Sequence, residues 1–192
     1  MHISSITFKA CHLGNINIDK KQAKQISQQE VALVQLNPNN SKDLDSVMAL
    51  ILPWGGFDSY TLDITNDMHN IFTGGYINKN NPKFLAITTQ KDNFETLESE
   101  KILGITEITE PKDDVLKIDF IETEPNSRFK TQDRQYIHIG KSLVRTIIEL
   151  TDRTYIITNA IKENINFFKG LGFKKKSSTK FTCQMFFKKI KY

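Results

Sequence analysis

The chain has 192 residues, 39% hydrophobic and 25% charged, with a formal net charge of +4. That length suits one domain able to bury a core, and that balance is normal for a globular protein and argues against disorder over most of the chain. No window approaches eighteen consecutive apolar residues, which excludes a membrane-spanning helix, and no basic-then-apolar leader stands at the N-terminus.

In chain order, residues 3–8 can form a first strand, and the polar stretch 20–30 reads as a helix. Ser41 is expected to cap a helix whose first turn carries Asp43 and Asp45. Leu44, Val47, Met48 and Ile51 then recur at helical spacing. Pro53 should end that helix, with a turn from Pro53 to Phe57. Residues 58–72 favour a helix, which Gly74-Gly75 should break. Further on, 83–89 and 101–108 read as strands. Val115–Thr123 is a third strand, with Leu116, Ile118 and Phe120 on one face and Glu122 carried onto that face by alternation. Pro125 and Asn126 stop it, and a polar loop follows over 127–133. Residues 140–150 form a helix with a buried stripe of Leu143, Val144, Ile147, Ile148 and Leu150. A short strand at 155–158, a helix at 162–170 ending on glycines, and a strand at 181–190 complete the chain. The fold class expected is α/β in the layered α+β sense: a mixed, mostly antiparallel sheet flanked by helices.

Cys11 and Cys183 are far apart and fit neither a metal-ligand spacing nor a disulfide framework. Both are expected to be small buried or half-buried thiols, and a reducing, cytoplasmic setting is the simplest. From Lys174 to Tyr192 there are seven lysines and no acid. This tail reads first as an edge strand guarded by lysine, since the lysines flank Phe181, Phe186 and Phe187. Attraction of nucleic acid, an anionic cofactor or a membrane surface is the other reading.

The chemistry is expected where a strand gives way to a helix. A helix opening just after a strand presents unpaired backbone N–H groups and a positive dipole end, a natural site for a diphosphate. Gly140 would let the backbone approach such a ligand closely. Here the sequence resembles the GNAT superfamily of acyl-CoA-dependent N-acetyltransferases. Gln135-Tyr136-Ile137-His138-Ile139-Gly140 occupies the frame of the family's pyrophosphate loop, Gln/Arg-x-x-Gly-x-Gly/Ala, with Leu143 in its usual apolar place. Phe167-Phe168-Lys169-Gly170-Leu171-Gly172-Phe173, preceded by Asn164, fits the family's second signature. Glu122, Pro125, Asn126, Tyr136 and Gly140 fall at or near the places of an Glu-x-x-Pro-x-Asn and Tyr-x-Gly-x-Gly pattern. The resemblance covers roughly 83–192.

It implies one GNAT-like domain over 1–192, with 1–80 as the acceptor-side half and 83–192 as the acetyl-CoA-binding half. It also implies acetyl transfer from acetyl-CoA to a primary amine by direct attack, the proton of the amine passing to a carboxylate or a water chain. Glu122 is the first choice of base and Asp119 the second. A strand bulge would re-aim Glu122 if alternation buries it. The cofactor is expected against Ile121, Thr123, Gln135, Tyr136, Ile137, His138, Ile139, Gly140 and Lys141, with Asn159, Asn164 and Phe168 along its arm. Asn159 serves equally as a helix cap. Trp54, Asp58 and Asn126 are the acceptor-side candidates, with Phe57 and Tyr60 nearby. No metal is expected.

Two departures from the family pattern stand out. His138 replaces the loop's first glycine, so a positive φ there would carry strain, and its ring could offer a cationic contact to phosphate. Phe168 stands where many family members place a tyrosine that protonates the leaving thiolate, which phenylalanine cannot do. Tyr136, Tyr155 and Tyr192 are the substitutes weighed. A catalytically weak acyl-CoA-binding sensor is therefore the alternative to the enzyme, and a basic nucleic-acid binder is a third reading. The partners expected are a small-molecule or peptide amine, with RNA and a second copy of the chain as further options, and no membrane.

Overall fold

The structure is a computed structural model, and it describes residues 10–22, 25–75, 82–127 and 135–189. The elements are β1 (Cys11–Gln22), β2 (Gln25–Leu36), α1 (Ser41–Met48), α2 (Tyr60–Phe72), β3 (Lys83–Thr88), β4 (Ile102–Lys112), β5 (Val115–Thr123), β6 (Tyr136–Ile137), α3 (Ile139–Leu150), β7 (Tyr155–Ile161), α4 (Ile165–Gly170), β8 (Lys174–Ser178) and β9 (Thr182–Lys188). The described strands make one sheet in the order β6-β1-β2-β3-β4-β5-β7-β9-β8. Every pairing is antiparallel except β5 with β7. A parallel pair needs a crossover, and α3 lies within it. The expected class, a mostly antiparallel sheet flanked by helices, is the one observed.

Two hydrophobic clusters sit on opposite faces of this sheet. Leu44 and Val47 of α1 and Ile64 and Met68 of α2 pack on Val34, Phe84, Ala86 and Ile105. Leu143, Val144 and Ile147 of α3 and Phe168 of α4 pack on Leu33, Leu85, Ile118, Ile156 and Met185. Period-two alternation in the central strands feeds both clusters, as in a sheet buried on both faces.

The helix expected over 20–30 is instead part of a long hairpin. Its Lys, Gln and Glu side chains are good helix formers, but β1 pairs with β2 from Cys11↔Gln35 to Gln22↔Gln25, and Ile18 and Val31 are buried against the α3 side. Pairing and burial overrode a weak propensity. Strand β2 and strand β8, whose five residues are all exposed, are elements the sequence did not announce. The N-cap of α1 is Asn40, whose side chain accepts from Lys42 N–H, rather than Ser41. The helix expected over 162–170 splits into a 3₁₀ turn at Lys162–Asn164 and α4. The strand expected at 3–8 and most of the loop expected at 127–133 lie outside the described residues. Cys183 is buried as expected, whereas Cys11 is exposed.

Asp43 lies in the first turn of α1 and is fully buried. Its Oδ2 accepts the Asn37 N–H at 2.7 Å, while Oδ1 has no hydrogen-bond partner among the described residues. Burial pushes its carboxyl up to about 6, against the opposing effect of the Asn37 bond.

Candidate active site between strands β5 and β7

β5 carries the site because it is irregular twice. Glu107 pairs with Phe120 and Ile108 with Ile118, so Asp119 is an extra residue, a β-bulge. A one-residue insertion inverts the faces beyond it. Leu116 and Ile118 point to the α3 side, but after the bulge Phe120 packs with the α1/α2 cluster and Ile121 with the α3 cluster. The expected face shared by Leu116, Ile118, Phe120 and Glu122 is thus cut in two. Glu122 is carried to the α2 side, the re-aiming that a bulge would produce.

The bulge is fastened from both directions. Thr106 Oγ1 donates to the Phe120 carbonyl at 2.7 Å, and Thr109 Oγ1 donates to Asp119 Oδ2 at 2.5 Å. Lys117 Nζ pairs with Asp119 Oδ1, and the Asp119 side chain is only 4% exposed. Asp119, the second choice of base, is therefore committed to holding the strand's shape. The carboxylate that is left to face a cleft is Glu122.

The second irregularity is a parting of strands. The parallel ladder of β5 and β7 runs from Val115↔Tyr155 to Ile118↔Thr158 and stops. Beyond it β5 stays with β4 as far as Thr123↔Gly104, and β7 stays with β9 as far as Ile161↔Thr182. The two strands part beside the bulge, and the space between them is the candidate cleft.

On one side of this cleft stands the start of α3. His138 caps it in the left-handed region, φ 61° and ψ 19°. The first bond of the helix ladder is Ser142 N–H to the His138 carbonyl, so the N–H groups of Ile139, Gly140 and Lys141 precede it. The His138 conformation is the one glycine adopts freely, and it costs a histidine energy. Its Nδ1 meets Asp19 Oδ2 at 2.8 Å, and this bond holds the Asp19 carboxyl below its ordinary range, with Gln28 and Lys141 assisting. The His138 ring is thus turned to β1. A Cβ on Gly140 would lie 3.5 Å from Phe167 Cζ and 3.6 Å from Thr123 Cγ2, so the end of β5, the start of α3 and α4 converge there. A Cβ on Gly104 would meet Ile139 Cγ2 at 3.0 Å, which shows how closely the α3 start is seated on β4.

On the other side stands the start of α2. Glu122 Oε2 accepts the backbone N–H of Tyr60, the first residue of that helix, at 3.2 Å. The Ser59 hydroxyl is used elsewhere, on the Gly56 carbonyl, so a carboxylate from β5 serves the helix start in place of a local cap. The Tyr60 ring lies 5.4 Å from the Phe120 ring. Burial first, then the charges of Glu122, Asp63 and Glu163, push the Tyr60 hydroxyl up, so it keeps its proton. Glu163 follows β7, so Tyr60 senses both walls of the cleft. The aromatic cluster after Pro53 places Tyr60 on the acceptor side, but nothing in the sequence signals its bond to Glu122, 62 positions away.

The other candidates divide. Thr123 meets Gly140 and Phe167 at the start of α3, Ile121 packs against the α3-side core, and Lys141 stands near Asp19 of β1. Gln135 is exposed and its carbonyl accepts from Lys21 N–H at 2.7 Å. The side chains of Tyr136, Ile137 and Ile139 are buried in the α3-side core, so only their main chains could serve a ligand. Phe168 is 3% exposed and packs edge-on against Phe173: it is core. The exposed aromatic beside Gly140 is its neighbour Phe167, at 36%. Trp54 is buried in the α1/α2 core and cannot line an acceptor pocket. Asp58 is exposed in the 3₁₀ turn just before α2, and Asn126 is exposed, with its Nδ2 donating to Glu124. Asn159 is exposed on β7, opposite Gln184, and caps no helix; Asn164 stands before α4 and makes no side-chain cap bond. Of the tyrosines weighed as proton donors, Tyr136 is core, Tyr155 lies at the paired start of β7, and Tyr192 lies outside the described residues. No group of acids, histidines and cysteines among the described residues could hold a metal ion, and no helix there is long and apolar enough to cross a membrane.

No family model and no curated protein matches the sequence. Solved structures do match its fold. PaiA N-acetyltransferase from Thermoplasma acidophilum, in complex with coenzyme A, aligns with a TM-score of 0.52 at 13% identity, over 84% of this chain and 100% of that one. A protein from Desulfovibrio desulfuricans assigned to the GNAT family of acetyltransferases aligns with a TM-score of 0.56 at 12% identity, over 82% and 99%. The Campylobacter jejuni N-acetyltransferase PseH, in complex with acetyl coenzyme A, aligns with a TM-score of 0.50 at 14% identity, over 82% and 99%.

Proposed function

We propose that this chain, which has the fold of the GNAT acetyltransferases, is an N-acetyltransferase that moves an acetyl group from acetyl-CoA to a primary amine. One observation carries this: the β5–β7 ladder breaks at a bulge that sends Glu122 to one side of the cleft while the start of α3 stands on the other. Two reactants of opposite needs, an anionic diphosphate and a nucleophilic amine, would find the two environments there.

The α3 side fits coenzyme A by its chemistry. Three N–H groups lie ahead of the helix ladder at a positive dipole end, Gly140 adds no side chain, and Lys141 stands beside them. The main chain of 135–141 would hold the diphosphate, with Ile121 and Thr123 of β5 along the arm and Phe167 as the exposed ring beside them. Acetyl-CoA would supply the acetyl group as a thioester, activated toward amines and carrying its own leaving group. The complexes of PaiA with coenzyme A and of PseH with acetyl coenzyme A support that choice of donor.

The α2 side would receive the acceptor. Glu122 is oriented by the Tyr60 N–H and takes the proton of the attacking amine, directly or through water. Tyr60 and Phe120 supply an aromatic wall, and Asp58, Asp63 and Glu163 make its surroundings acidic, which favours an acceptor that carries positive charge. Residues 1–80 thus contribute Asp58, Tyr60 and Asp63 to the acceptor side of one domain, and 83–192 contribute its cofactor side together with Phe120, Glu122 and Glu163. The two unbonded thiols suit a reducing compartment, the cytoplasm.

The test is thiol release from acetyl-CoA with a panel of mono- and diamines, amino acids and peptides, in the native protein and in Glu122→Gln. Amine-dependent release that falls in the variant supports the enzyme. Saturable acetyl-CoA binding with no release from any amine would make the protein a sensor, and no binding at all would remove the reading.

A further inference from the structure

The sheet has a face that no described helix covers. On the α1/α2 side the helices lie over the central strands, but toward β8 the surface is an open groove of about 540 Å³. Lys112, Val115, Tyr155, Ile157, Lys176 and Phe186 line it, and no carboxylate does. Alternation explains the lining. Cys183 and Met185 are fully buried on the α3 side, so Gln184, Phe186 and Lys188 face the other way. Phe186 is directly opposite Ile157, and Tyr155 is opposite Lys188, whose ammonium lies 5.9 Å from the tyrosine ring. Tyr155 and Phe186 are therefore diagonal neighbours, about 7–8 Å apart at their backbones. Lys174 pairs with Phe186 from the other side.

We propose that this face binds single-stranded RNA, with bases stacked on Tyr155 and Phe186 and phosphates neutralised by Lys112, Lys174, Lys176 and Lys188. Guarding an edge strand would explain lysines on β8, but not Lys112 on β4, Lys188 on β9 or two half-open aromatic rings between them. A second copy of the chain is disfavoured, because a self-complementary contact would set these lysines against one another. An acidic peptide would satisfy the charge but has no use for a flat aromatic platform. Bases have a π-face whatever their identity, and stacking with a basic groove is how single strands are held. The proposal is independent of acetyl transfer, although the groove lies on the Glu122 side of the sheet. Tyr155 and Asn159 are four residues apart on β7, about 13 Å along the strand.

The test is fluorescence anisotropy with a short labelled uridine-rich RNA at several salt concentrations. Binding is expected to weaken with salt, with a logarithmic slope of about −0.7 for each phosphate neutralised. Tyr155→Ala should weaken it by about fivefold or more, with Tyr155→Phe restoring it, because stacking needs the ring and not the hydroxyl. The exposed change Lys176→Gln should flatten the salt slope, and thermal melting would establish that each variant is folded. Absence of binding at low salt would overturn the proposal. So would equal affinity for polyglutamate or phosphatidylserine vesicles, a folded Tyr155→Ala protein that binds like the native one, or self-association that buries the face.

Discussion

The two sides of the β5–β7 cleft are built in different ways. The α3 side is local: residues 135–142 form a short strand, a left-handed cap and a helix start in one continuous stretch, seated on Gly104 of β4. The α2 side is assembled from parts far apart: Glu122 of β5 holds the first N–H of α2, while the Phe120 and Tyr60 rings meet at a tilt. The local side is set by backbone groups, which tolerate changes of side chain as bulky as His138. The assembled side depends on one bulge, which decides the face every later residue of β5 presents.

The changes that break this contrast can be ranked. Glu122→Gln should have the largest effect, lowering kcat about 10²- to 10⁴-fold while acetyl-CoA affinity stays within about twofold, as read by turnover and calorimetry. A change in cofactor affinity with unchanged turnover would put Glu122 on the wrong side. Gly140→Trp should do the reverse and weaken acetyl-CoA by about 100-fold, near 3 kcal/mol, in a protein that still melts cooperatively. Gly140→Ala should be mild, since its Cβ would find ordinary contacts at 3.5 Å and beyond.

Away from the cleft, Asp43→Asn should stabilise the fold. The native carboxyl titrates at about 6, above its ordinary 3.8, so the folded state holds its proton more tightly than the unfolded chain. Stability from this group is fullest below about pH 4, declines as the pH rises to about 6, and stays low above that. An asparagine keeps the acceptor for Asn37 without the buried charge. The gain at pH 7.5 should be about 1–3 kcal/mol, vanishing near pH 4, in melts across that range. The smallest effect is expected for His138→Gly. It removes the cost of a left-handed histidine, about 1 kcal/mol, but also the bond to Asp19, so the melting temperature should change little; His138→Val should lower it clearly.

The same contrast explains what the sequence disclosed. Val115–Thr123 and most of the stripe of α3 are legible because period two and period 3.6 leave a mark in nine to twelve residues, although Leu150, expected in the stripe, is exposed at the helix end. The loop at 135–140 was legible because its spacing is local. The facing of Glu122 was not: the bulge at Asp119 is stabilised by Thr106 and Thr109 on another strand, and no pattern within β5 records them. The pairing of Tyr60 with Glu122 is hidden for the same reason, and Phe167 and Phe168, adjacent aromatics on a short helix, look alike until one is buried. The hairpin of β1 and β2 was misread where polar helix formers line a strand whose partner supplies the order.

The central claim is that backbone amides at the start of α3 grip the diphosphate of coenzyme A. Its most direct test is to titrate acetyl-CoA into isotopically labelled protein and follow each backbone amide by nuclear magnetic resonance. We expect saturable shifts concentrated at Ile139, Gly140 and Lys141, with Thr123 responding from the end of β5, and their loss in Gly140→Trp. Saturation that moves other amides and leaves these three in place, or no saturation at all, would contradict the claim.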